Sequence, residues 1–161
     1  MPDRDELLTT YLSDHLVASS AGRDLFRRAA KSQRGTPRGT ELQRLAREVD
    51  EDRDAQLEVM RALGVEPSLL RVTVGRAAER LGRLKPNGTV VRRSPLSDVV
   101  ELEAMRAGVE AKAAGWEALL PVADRDSRVS RSSLEELRAR ALDQAQRLQT
   151  LHQQAAADAF G

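Results

Sequence analysis

The stretch VEPSLLRVTVGRAAERLGRLKPNGTVVRR, residues 65–93, decides how the rest of the chain is read. It is too long for a turn between neighbouring helices and carries a helical pattern of its own. Pro67 suits a first-turn position. Leu69, Leu70, Val74, Ala77, Ala78, Leu81 and Leu84 follow at roughly helical spacing, and Pro86-Asn87-Gly88 closes the run. The segment therefore reads as a crossover with a helix over about 67–84, followed by a short extended piece, Thr89-Val90-Val91.

Two long amphipathic segments lie on each side of it. The first, about 3–31, carries Leu8, Tyr11, Leu12, His15, Ala18, Gly22, Leu25, Phe26 and Ala29 on one stripe, and Gly35-Thr36-Pro37-Arg38-Gly39 breaks it. The second, about 40–63, opens where Thr40 and Gln43 have capping-box spacing, runs through Leu42, Leu45, Val49, Leu57, Met60 and Leu63, and stops at Gly64. The third, about 95–120, starts at Ser94-Pro95 and presents Leu96, Val99, Leu102, Met105, Val109, Ala113, Trp116 and Leu120, with Pro121 read as its end. The fourth, about 132–158, opens with Ser132-x-x-Glu135 and continues through Leu134, Leu137, Ala141, Ala145, Leu148, Leu151 and Ala155. Short loop, long crossover, short loop is the layout of a ferritin-like antiparallel four-helix bundle.

Composition agrees with a single all-α domain spanning 1–161. With 161 residues, 40% hydrophobic and 2% aromatic, the core has to be built from Leu, Val and Ala, which favour helix. The absence of cysteine excludes disulfides, a thiol nucleophile, iron–sulfur clusters and thiolate zinc sites. No run approaches the roughly 20 apolar residues that a bilayer requires. Met1-Pro2-Asp3-Arg4-Asp5-Glu6 lacks a basic patch followed by an apolar run, so the expected location is the cytoplasm. Asn87-Gly88-Thr89 is read as a turn rather than a glycosylation site.

Helix pattern and residues together carry a family resemblance. Tyr11-Leu12-Ser13-Asp14-His15-Leu16, Glu48-Val49-Asp50-Glu51-Asp52, Ser94-Pro95-Leu96-Ser97 and Glu101-Leu102-Glu103 resemble bacterial ferritin-like proteins over nearly the whole chain. That resemblance implies a bundle whose di-metal site takes a Glu from each of two helices and a Glu-x-x-His pair from each of the others. The chain departs from this set. No Glu-x-x-His occurs, and three positions before His15 and His152 stand Leu12 and Gln149. The family's ligands are therefore not carried over, and ferroxidase or oxygenase chemistry is not expected.

Polar residues nevertheless interrupt the apolar stripes. His15, Glu48, Asp52, Glu103 and Glu110 could converge as imidazole and carboxylate ligands for iron, manganese or zinc. Alternatively the carboxylates belong to a buried ion-pair network, with Arg53 or Arg106 neutralising them. His152, nearer the bundle end, reads as a boundary residue. Neither a phosphate loop, a dinucleotide fingerprint, a nucleophile elbow nor a zinc-protease histidine pair is present, and Ser13, Asp14 and His15 point in different directions on one helix. The sequence therefore leans away from an enzyme.

Charge supplies one more feature. The whole chain has 26 basic and 25 acidic side chains, yet Arg71, Arg76, Arg80, Arg83, Lys85, Arg92 and Arg93 are gathered with only Glu79 among them. Such a patch can meet an anionic surface, a polyanion or an acidic partner. The stretch lacks aromatic residues for base stacking, and near-neutral overall charge gives little long-range pull on polyanions. A match to the acidic cluster Glu48, Asp50, Glu51, Asp52 and Asp54, within or between subunits, is favoured over nucleic acid. The sequence thus points to a noncatalytic bundle without a required cofactor, a structural or interaction module expected to form a homo-oligomer such as a dimer. Its small-molecule ligand, if it has one, is not encoded in any motif. A ferritin-like metal-binding protein with an altered site is the alternative.

Overall fold

The computed structural model describes residues 3–66 and 94–161. Over these residues the chain is all helical: α1 (Arg4–Ser32), α2 (Pro37–Ala62), α3 (Pro95–Ala123) and α4 (Arg131–Phe160), with no strand among them. The expected crossover helix, the extended piece at Thr89-Val91 and the whole basic cluster from Arg71 to Arg93 lie outside the described residues. No described helix is long and apolar enough to cross a membrane.

Local chemistry sets the helix ends. Asp3 caps α1 and accepts from Arg4 N at 2.6 Å, with Asp5 and Glu6 in the first turn facing the positive end of the helix dipole. The second helix begins at Pro37, three residues before the expected Thr40. Thr36 is its cap, its hydroxyl accepting from Gly39 N at 3.0 Å, and Pro37 occupies a first-turn position where its missing N–H costs nothing. Gly39 is consequently not a loop breaker but a helical residue in tight contact, since a Cβ there would lie 2.0 Å from the Gln33 carbonyl oxygen. At the other end Gly64, with φ +73°, donates its N–H to Arg61 O at 3.1 Å and lets Val65 N donate to Met60 O at 2.9 Å while Val65 is buried, which satisfies two of the helix's last carbonyls.

The third helix passes through Pro121 and ends at Ala123, so proline does not terminate it. The lost hydrogen bond falls in the last turn, and the following amides of Asp124 and Asp126 return to Leu120 O and Val122 O. The last helix is capped by Ser130, which accepts from Ser133 N at 3.3 Å; the expected opening at Ser132 lies two positions too late.

Leu12, Leu16, Phe26, Leu42, Leu45, Met60, Leu102, Met105, Trp116, Leu134, Leu148 and their neighbours form one continuous core drawn from all four helices. A leucine as buried as Leu45, at 0% exposure, contributes about 1.5–3 kcal/mol relative to an exposed position. The helices pair closely as α1 with α2 and α3 with α4, and α1 also packs on α3. The backbones of α2 and α4 approach less closely, and that wider seam is spanned by long polar side chains. It is where the unusual chemistry of the interior lies.

Candidate functional site

Asp52 sits mid-helix on α2, 2% exposed, among Val49, Gln56 and Met60. A carboxylate so buried needs partners from every side. Lys112 of α3 donates its ammonium to Asp52 Oδ2 and, at 2.6 Å, to Gln144 Oε1 of α4. Gln144, itself 0% exposed, donates through Nε2 to Asp52 Oδ2 at 3.0 Å and to Glu48 Oε2 at 3.2 Å. Arg140 of α4 pairs with Asp52 Oδ1 and reaches Glu51 Oε2 at 3.4 Å. One turn away Arg147 holds both oxygens of Glu48 at 2.9 Å and Glu41 Oε1 at 2.7 Å.

Helical periodicity explains the assembly. Glu41, Glu48 and Asp52 lie at spacings of seven and four on α2, and Arg140, Gln144 and Arg147 at four and three on α4, so each set forms one row facing the other across the seam. The side chain of Lys112 enters from α3 between them. Burial pushes the Lys112 ammonium below the ordinary lysine range, while Asp52 and Glu48 oppose that fall. The carboxylate pairs and hydrogen bonds of Arg147 drive its guanidinium further toward the charged form, against desolvation.

Beside this network a cavity of about 80 Å³ opens between α1, α2 and α3. Tyr11, His15 and Phe26 wall it from α1, Asp52 and Arg53 from α2, Lys112 and Trp116 from α3. The His15 ring lies against Gly115, where a Cβ would come within 3.0 Å of its Cε1, and the Tyr11 ring tilts over it at a centroid distance of 4.5 Å. Burial holds His15 below its ordinary range, with Asp14 pulling weakly the other way.

The five residues of the alternative metal-site reading are distributed unevenly. Glu48 and Asp52 are brought together through Gln144, and His15 shares the cavity wall with Asp52. Glu103 and Glu110 are exposed: Glu103 accepts from or is faced by His152 Nε2 at 3.3 Å, and Glu110 takes Arg106 Nε at 2.8 Å. Each stands one residue beyond a core position, Leu102 or Val109, and one residue turns a helix by about 100°. Among the described residues no three histidine or carboxylate side chains gather in a metal-binding arrangement. The neutralising cations also differ from those expected. Arg106 remains on the surface and Arg53 donates to Ser20 Oγ at 3.3 Å, whereas Lys112, Arg140 and Arg147 meet the carboxylates.

Lys112 and Gln144 were legible in principle. Lys112 follows Met105 and Val109 at spacings of seven and three, and Gln144 stands between Ala141 and Leu148, so both interrupt an apolar stripe as plainly as His15 does. Comparison with known proteins finds no matching family model, no matching curated protein and no matching solved structure.

Proposed function

We propose that this chain is a noncatalytic, ferritin-like antiparallel four-helix bundle that serves as an oligomerising structural or interaction module. The observation that carries the reading is the position of the Lys112 ammonium, bonded to Asp52 and Gln144 within the field of Glu48. In ferritin-like bundles the cation between facing helical carboxylates is a metal. Here a lysine, backed by Arg140 and Arg147, supplies the positive charge from the chain itself. A metal entering at Asp52 would have to displace that ammonium.

The oligomer reading is supported by exposed apolar side chains. Leu96 is 54% and Phe160 69% exposed, and Val100 lies one turn from Leu96 on α3. Arg38 joins Asp98 to Asp158, so these residues belong to the same end of the bundle. Apolar groups gathered at one end favour contact with a second copy of the chain.

Metal analysis and native mass on one sample, purified without a histidine tag or chelator, test both parts. The expected result is a multiple of the chain mass, no stoichiometric iron, manganese or zinc, and dissociation of Leu96→Glu/Phe160→Glu without loss of helicity. A monomeric wild type would sink the oligomer reading. Stoichiometric metal lost in Asp52→Asn would replace the lysine-centred reading with an altered metal centre at Glu48, Asp52 and His15.

A further inference from the structure

We propose that the cavity between α1, α2 and α3 is a binding site for a short-chain monocarboxylate, its anionic head held by Lys112 and Arg53 and its apolar tail by the surrounding core. Four observations converge on it. First, an ammonium has three donors, and Lys112 uses two of them, on Asp52 and Gln144, leaving the third without a partner among the described residues. Second, Arg53 is half-buried, and among the described residues it forms no ion pair and one hydrogen bond, to Ser20 Oγ, so the rest of its guanidinium fork has no partner there. Third, Trp116 is only 4% exposed, yet its indole N–H has no acceptor among the described residues. Buried donors in folded proteins almost always have one.

The fourth is the sign of the wall. Its acid, Asp52, is already bonded to Lys112, Gln144 and Arg140, so with Lys112 and Arg53 beside it the wall carries a net positive charge. Around these groups the lining is apolar, with Leu12, Phe26, Val49, Val109 and Leu119. An apolar pocket with a few convergent polar groups is the usual form of a small-molecule site. A cavity of about 80 Å³ suits a carboxylate with a few carbons better than a nucleotide or a long acyl chain. Inorganic phosphate would fill the charged part and leave the apolar wall without a partner.

Trp116 is the chain's one tryptophan, so its fluorescence reports on the cavity directly. Titration with sodium butyrate is expected to change Trp116 emission saturably at low millimolar concentration, with 1-butanol and inorganic phosphate much weaker. Arg53→Gln should weaken butyrate about ten-fold, the equivalent of one charge-assisted hydrogen bond. Gly22→Leu provides a variant that keeps the fold. Gly22 lines the cavity, a Cβ there meets nothing within 4 Å, and leucine is the better helix former. Its side chain should fill the space and abolish the response. No saturable change with butyrate, equal binding of 1-butanol, or undiminished binding by Gly22→Leu would each overturn the assignment.

Discussion

The ammonium of Lys112 lies 2.6 Å from Oε1 of Gln144 and joins α3 to α4 at the level where Asp52 of α2 is buried. Removing one member of such a set costs more than removing the set, because the survivor keeps its desolvation penalty and loses its partner. Lys112→Met is therefore expected to destabilise the fold by about 3 kcal/mol, the lower end of the range for breaking a buried pair, since Arg140 still holds Asp52. The double variant Lys112→Met/Asp52→Leu should recover at least half of that loss. Urea denaturation of the three proteins measures it, and a double variant less stable than Lys112→Met would count against the network.

Acid should loosen the α1–α3 contact through His15. Its folded value is lowered by burial from 6.5, so as pH falls through 6.5 the unfolded chain takes up a proton that the folded chain refuses. Stability from this group is complete above pH 6.5, declines as pH falls toward the folded value, and changes no further below it. The midpoint of thermal unfolding recorded from pH 7.5 to pH 5 should fall more steeply in the wild type than in His15→Gln. Parallel profiles would remove His15 from the account.

Two glycines predict opposite outcomes from the same substitution. Gly39→Ala forces a Cβ against the Gln33 carbonyl, which is backbone and cannot swing away, so a loss of about 1–3 kcal/mol is expected. Gly22→Ala meets nothing within 4 Å and gains helix propensity, a stabilisation of about 0.5–1 kcal/mol. Differential scanning calorimetry of the pair should move the transition in opposite directions.

The four-helix layout was legible because long periodic stripes such as Leu102, Met105, Val109, Trp116 allow little else. Details that depend on competing local signals were less so. Thr36-Pro37 and Thr40 both look like helix starts, and the contact of Gly39 with Gln33, invisible in one dimension, belongs to the earlier one. Asp52 is buried and Glu48 half-buried one turn before it, but the partners the sequence offered, Arg53 and Arg106, stand on α2 and α3. Pairing across α2 and α4 depends on which helices face each other, and Arg140 and Arg147 resemble any solvated arginine until that is known. Glu103 and Glu110 lie seven residues apart and so share a face of α3, but that spacing does not say which face, and theirs is the exposed one.

Arg38 has a consequence for how the bundle opens. From the first turn of α2 it reaches Asp98 of α3 at 3.3 Å and Asp158 of α4 at 2.7 Å, while Gln33, just past α1, donates to Asp98 at 2.6 Å. All four helices are thus fastened at this end. At the opposite end, Leu7, Leu63 and Pro121 border a cleft of about 810 Å³. Local opening follows the weaker end. Amide hydrogens in the first turns of α1 should therefore exchange with solvent sooner than those near Ala29, and the bundle should unzip from one end only.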